Sequence, residues 1–236
     1  MTQEQQVIEK IKELGGYATL RRLYEALDFS SWHTKTPQES VRRIVQKSDA
    51  IFKIRPGLWA LEACRDKILR QFNIQPDNWQ NESLFTHSFY QGLIIEIGNL
   101  QNFTTYIPPQ DQHKKYLEQE LGSLADISAI PPFTYERILR KAKTVDVIWF
   151  NERQMPTHFY EIEHTTDIKN SLLKFYELQD FFASFFIVAN SHRRREFEDK
   201  INDSAFNDII SRVKFLDYER VSAFHSSLNI QNGVKW

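Results

Sequence analysis

At 236 residues, with 41% hydrophobic and 14% aromatic side chains including 18 Phe, the chain has ample material for packed cores, which excludes bulk disorder and leaves room for two domains. A single cysteine, Cys64, excludes an internal disulfide and a thiolate metal cage. The net charge of −1 excludes a molecule that is basic throughout, so any polyanion footprint must be local: residues 1–62 hold 10 Lys/Arg against 8 Asp/Glu, leaving 20 against 23 for the rest. No apolar run approaches the roughly 20 residues of a membrane span. The opening MTQEQQVIEK lacks an apolar signal core, so the chain reads as cytoplasmic with no membrane partner.

Val7, Ile8, Ile11 and Leu14 are spaced for one face of a helix that Gly15-Gly16 stops, and Leu20, Leu23, Tyr24 and Leu27 mark a second helix. The third opens on Thr36-Pro37-Gln38-Glu39, with Thr at the N-cap, Pro at the first helical position and Glu placed to close a capping box. Val41, Ile44 and Val45 then face inward. Glu39, Arg42, Arg43 and Gln46 point to solvent. IFKIRPGLWALE reads as two short strands turning at Arg55-Pro56-Gly57, with Lys53 and Arg55 on the hairpin. This order predicts a winged helix over residues 1–63.

Residues 64–85 carry no sustained period after a short helical stretch and are read as a linker. From Thr86 the pattern becomes mixed α and β, so 86–236 is the second domain. Residues 87–100 read as a helix or its end, Phe103–Ile107 as a short strand, 144–150 and 158–164 as strands joined at Asn151–Pro156. An apolar helix over 167–183, a buried strand over 185–190, a charged helix over 193–203 and a strand over 213–218 follow. The fold class is α/β, a mixed sheet flanked by helices, with the small winged helix in front.

Alternate residues of a strand share a face, so Glu161 and Glu163 project together while Tyr160, Ile162 and His164 point away. Two such carboxylates repel unless a cation or proton sits between them or water bathes them. Asp146 lies on the preceding strand among Val145, Val147 and Ile148, where Asp is a poor strand former. Paired as a hairpin, the strands would bring three hard oxygen donors together, a set suited to Mg²⁺. A solvated strand face and a strand-end Asp are the alternative.

Asp146, 14 residues, then Glu161-Ile162-Glu163 on adjacent strands before an apolar helix resembles the catalytic core of the PD-(D/E)XK nuclease superfamily. The resemblance spans roughly Thr86 to Glu219 and implies a restriction-endonuclease-like fold, with Asp146 and Glu161 as Mg²⁺ ligands. It also implies that Glu96, in GLIIEIG, is the helical acid that completes the metal shell. The motif's lysine position is Glu163, which then serves as a third ligand or base. Alternatively, a cation has moved onto the next helix, to Lys169 or Lys174. His164 faces away and stays outside catalysis. Gln179 either touches DNA or caps the core, and His192-Arg193-Arg194-Arg195 is either solvated surface or a phosphate contact.

Val7 to Leu61, above all TPQESVRRIVQ and FKIRPGLWAL, resembles the HARE-HTH winged-helix domain found fused to restriction endonucleases. The resemblance implies a third helix in the major groove: Arg42 and Arg43 on guanine or phosphate, Gln38 and Gln46 on adenine, Lys47, Lys53 and Arg55 on phosphates. Together the two resemblances imply a type II-like, Mg²⁺-dependent endonuclease cutting double-stranded DNA, as a homodimer with a cognate methyltransferase acting on the same site. A modification-dependent endonuclease, a DNA-binding regulator on an inactive nuclease fold, and a protein-interaction module are the alternatives.

Overall fold

The structure, a computed structural model, describes residues 1–74 and 79–231. The chain divides into two compact units, Met1–Glu82 with the chain from Ser222 onward, and Ser83–Val221. Among the described residues no helix is long and apolar enough to cross a membrane.

In the first unit α1 (Gln3–Glu13) starts on a capping box formed by Thr2 and Gln5. It ends where Gly16 N–H donates to Ile11 O at 2.8 Å and Gly15 N–H to Lys12 O at 3.1 Å. Both glycines have φ of 95°, the left-handed conformation this helix stop requires. A strand too short to show a period, β1 (Tyr17–Thr19), leads into α2 (Leu20–Ala26). Next come α3 (Pro37–Lys47) and the hairpin of β2 (Ile51–Arg55) and β3 (Leu58–Leu61), followed by α4 (Arg65–Gln71). The sheet order is β1-β3-β2, antiparallel throughout. Val7, Ile11, Leu23, Val41 and Val45 pack beneath it.

The capping box expected at Thr36 and Glu39 does not form. Thr36 is the N-cap and Pro37 opens the helix, but with φ −130° and ψ 67° the threonine side chain makes no cap bond. Its own N–H is taken by Thr34 Oγ1 at 3.2 Å. In the stretch expected as a linker, α4 is followed by residues 75–78, outside the described residues, and then by α5 (Trp79–Leu100), which starts well before residue 87.

The second unit holds a five-stranded mixed sheet. After α5 come β4 (Thr104–Tyr106), the small hairpin β5 (Lys115–Tyr116) and β6 (Gln119–Glu120), then α6 (Leu121–Leu124) and α7 (Glu136–Ala142). Next are β7 (Val147–Phe150), β8 (Pro156–Glu163), α8 (Ile168–Glu177) and β9 (Ser184–Ala189). The last elements are α9 (Arg194–Ile201), β10 (Val213–Asp217) and α10 (Tyr218–Gln231), whose residues from Ser222 count with the first unit. The order is β10-β9-β8-β7-β4, with β8, β9 and β10 parallel and β4, β7 and β8 antiparallel.

Each parallel step crosses over through a helix, α8 or α9, as parallel strands require. Leu172, Phe175, Phe159, Phe185, Ile187 and Phe215 fill the core of that side. The helix expected over 167–183 stops at Glu177, because the Arg212 guanidinium donates to the carbonyls of Gln179 and Phe181 and holds the chain in a turn. Helix α5 is notched at Gly92, where a Cβ would lie 2.2 Å from the Tyr116 ring. That close approach seats Tyr116 against α5.

Candidate active site

Strand β7 begins one residue after Asp146, and its register sets Val147 opposite Tyr160. One step further along, Asp146 stands beside Glu161. The Ile162 N–H donates to Asp146 Oδ2 at 2.7 Å, and His87 Nε2, from α5, lies 3.2 Å from the same oxygen. A carboxylate only accepts, so the ring proton belongs on Nε2. Gln91, one turn after His87, donates through Nε2 to the Asp146 carbonyl at 2.8 Å. Burial works against the Asp146 charge. The His87 charge and hydrogen bond, the Ile162 N–H and Lys174 outweigh it and hold the carboxyl below the ordinary aspartate range.

Glu161 is 2% exposed. Lys174, reaching back from α8, donates to its two oxygens at 2.9 and 2.8 Å and to Thr144 O at 3.0 Å. The next acid, Glu163, is 4% exposed and accepts from the hydroxyls of Ser171 and Thr166. Ser171 Oγ also lies 3.1 Å from Glu161 Oε2, so one hydroxyl proton stands between two carboxylates.

Burial first, and then Asp146 and Glu163, push the Glu161 carboxyl well above the ordinary glutamate range against the pull of Lys174. Burial opposes the charge on Lys174 and on His87 as well, yet Glu161 raises the first and Asp146 the second. Glu161 is pushed up first by its burial and then by the neighbouring carboxylates, whereas Lys174 is pushed up by those carboxylates against its burial.

Over residues 69–233 the chain matches the family described as type II restriction enzyme NmeDI C-terminal domain. This chain belongs to that family. No curated protein and no solved structure matches it. Membership carries a restriction-endonuclease-like function, with DNA as the partner, and the mixed sheet flanked by helices is consistent with a restriction-endonuclease-like α/β fold.

Around the acids of this restriction-enzyme domain the structure gives each of the other candidate side chains its own setting. Glu96 accepts from Tyr116 Oη at 2.9 Å. Among the described residues no three Asp, Glu, His or Cys side chains are arranged to hold a metal ion, so the set Asp146, Glu161 and Glu96 is not preformed. Lys169 is exposed. His164 approaches Tyr218 Oη at 3.4 Å, on the face away from the glutamates. Arg193 is buried, donating to Glu163 O at 3.1 Å and Thr166 O at 2.6 Å while pairing with Glu196. It anchors the end of β8 and is not a surface phosphate contact. Arg194 pairs with Asp217 at 3.2 Å, whereas His192 and Arg195 are exposed.

In the first unit Arg43, Gln46, Lys47 and Lys53 are exposed and Gln38 is half-buried. Arg42, expected on the solvent face, instead donates to Ser226 Oγ of α10 at 3.0 Å and stands beside Tyr24. Arg55 pairs with Glu82, and Ser222 Oγ donates to Pro56 O at 2.6 Å, so the hairpin tip is held by its own chain.

Sequence reasoning missed His87, Gln91, Ser171 and Thr166. Three of these left a trace. His87 and Gln91 are a polar pair at i,i+4 that shares one face of α5, and Ser171 and Lys174 at i,i+3 share one face of α8.

Proposed function

We propose that this chain is a Mg²⁺-dependent endonuclease of type II character. It hydrolyses phosphodiester bonds in double-stranded DNA with a PD-(D/E)XK-like core and reads DNA with an N-terminal winged-helix module. The observation that carries the reading is Lys174 bound to Glu161 beside Asp146. The cation that the motif would place at residue 163 is thereby supplied from α8, one strand-to-helix crossover later.

The residues fit Mg²⁺ in donor chemistry and charge. Asp146 and Glu161 offer hard carboxylate oxygens side by side at the β7–β8 junction, and Mg²⁺ takes only one or two protein carboxylates alongside waters and substrate phosphates. These two residues would hold it. When bound, it supplies Lewis-acid polarisation of the phosphate and an acidified water.

The other roles belong to the chain itself. Lys174 keeps its proton and offers the attacking water or a phosphate oxygen a donor. Glu163, whose contacts are the Ser171 and Thr166 hydroxyls, fixes Ser171 between the two glutamates and is neither base nor ligand in this scheme. In the first unit Arg43, Gln46, Lys47 and Lys53, with Gln38, form the DNA-facing set, while Arg42 and Arg55 brace helix and hairpin. Because one centre cuts one strand, a homodimer provides double-strand cleavage, and a methyltransferase acting on the same sequence is the partner this activity requires.

Plasmid cleavage with and without Mg²⁺ tests the reading. Asp146→Ala and Glu161→Ala are expected to reduce cutting to background, and undiminished cutting by either variant rejects the assigned centre.

A further inference from the structure

We infer that His87, assisted by Gln91, is a positioning residue of this centre: together they hold Asp146 in one orientation, apart from Lys174. The inference rests on the endonuclease reading and deepens it. Asp146 is held from two elements. Ile162 N–H of β8 and His87 Nε2 of α5 both fall on Oδ2, while Gln91 Nε2 holds the Asp146 backbone carbonyl. Residues 87 and 91 lie one turn apart on one face of α5, so a single helical face grips both the side chain and the main chain of Asp146.

The orientation of Gln91 is fixed chemically. Its Nε2 also donates to Asp111 Oδ2 at 2.9 Å, and turning the amide over would set its oxygen against two acceptors. Gln91 Oε1 and His87 Nδ1 are buried without any partner. Around them α5 buries Phe89, Tyr90, Leu93 and Ile94. Packing alone would favour apolar side chains here, since a buried polar atom without a partner costs free energy. Each of the two side chains satisfies only the end that reaches toward Asp146 or Asp111. That one-sided satisfaction is the mark of residues kept for what they do to Asp146.

The consequence is two separate pairs, Asp146 with His87 and Glu161 with Lys174. Without His87 only the Ile162 amide restrains the Asp146 carboxylate, and the nearest remaining counter-charge is Lys174, whose charge already acts on it. Asp146 would then compete with Glu161 for one ammonium group. With His87 in place both described contacts of the carboxylate fall on Oδ2, which leaves Oδ1 for a cation.

The full-length His87→Gln and His87→Asn variants discriminate by reach, because a glutamine amide extends about as far as Nε2 and an asparagine amide does not. Binding of Mn²⁺ alone, followed through its electron paramagnetic resonance signal, is expected to weaken roughly 10–100-fold in His87→Asn, the usual range for partners of metal ligands. It should return close to wild type in His87→Gln. In cleavage assays kcat should fall and half-saturating Mg²⁺ rise for His87→Asn, with the KM for DNA unchanged.

Equal Mn²⁺ affinity in wild type and both folded variants overturns the inference, as does equal loss in both. Should His87→Asn not fold, His87→Ser, whose short polar chain admits water, replaces it in the same comparison with the same two outcomes. If Asp146→Asn and Glu161→Gln also bind Mn²⁺ as tightly as wild type, the metal centre itself is wrong. If only the His87 variants do, the centre stands and the positioning role falls.

Discussion

The exposed side of α3 and the carboxylate cluster at the β7–β8 junction both concentrate ionisable groups, yet burial gives the two regions opposite chemistry. On α3, Arg43 and Lys47 are exposed; such charges are screened, add little to stability and remain available to an incoming polyanion. At the junction Glu161, Glu163, Lys174, His87 and Asp146 are wholly or largely buried, so every charge needs a partner and protonation follows the neighbours. Arg42 shows where the first regime passes into the second. It lies on the same helix as Arg43, one residue away, but its guanidinium is bound to Ser226 and is no longer a free surface charge.

The largest effect that could break this comparison is at Lys174. Lys174→Ala should lower cleavage by about 10²–10³-fold, the scale for losing one positioned donor at a reacting centre. It should also destabilise the fold by roughly 3–5 kcal/mol if Glu161 remains charged without its partner. A variant with wild-type kcat and melting temperature would show that the pair is ornamental and the cluster behaves like surface charge.

Arg42→Ala and Arg43→Ala sharpen the boundary on α3. Losing the Arg42 contacts to Ser226 and Tyr24 should cost about 1–2 kcal/mol in denaturant unfolding. Arg43→Ala should stay within about 0.5 kcal/mol of wild type. Equal stability of the two variants would place Arg42 back among the exposed charges.

A pH series separates the regimes again. Burial opposes the His87 charge, but Asp146 raises its pKa above 6.5, so the pair contributes fully below pH 6.5 and is lost as the pH climbs through the raised value. Asp146 is held below 3.8 despite its burial, so its share is lost only as the pH falls through that lower value. The melting-temperature advantage of wild type over His87→Gln should therefore be widest between pH 3.8 and 6.5 and narrow on the alkaline side. A flat difference from pH 4 to pH 9 would mean that Asp146 does not raise the His87 pKa on folding.

The smallest expected effect is in binding. Arg43→Ala should reduce the slope of log K against log salt for DNA by about 1, as one phosphate contact is lost, while Arg42→Ala leaves the slope unchanged. The reverse pattern would exchange the roles assigned to the two arginines.

Much of the fold was legible in local pattern. The strand patterns of TVDVIWF and HFYEIEH, the apolar spacing of α1, α2 and α8, and the strand-helix-strand order from β8 to β10 announce a mixed sheet flanked by helices. The three-residue β1, the early start of α5 and the early end of α8 were not legible. The first is too short to show a period, the second lies in a stretch without a clear start signal, and the third depends on Arg212 reaching across from 33 residues away. In the candidate site, Glu161 and Glu163 could be named from strand alternation and Asp146 from its place among apolar strand residues, and Lys174 stood beside Lys169 as one of two candidate cations. His87 could not be found that way, because nothing near residue 87 in sequence indicates a partner 59 residues later.

The sequence by itself determined where the strongly periodic helices and strands lie and that Glu161 and Glu163 share a face, because those properties follow from the 3.6- and 2-residue periods of a single segment. Only the tertiary structure decided that Lys174 serves Glu161, that His87 and Gln91 grip Asp146, and that Arg42 is spent on Ser226 while Arg43 is not. Those outcomes depend on register and helix packing, which bring residues far apart in the chain within hydrogen-bonding distance inside a low-dielectric interior, where the pairing of each charge is decided by its neighbours in space.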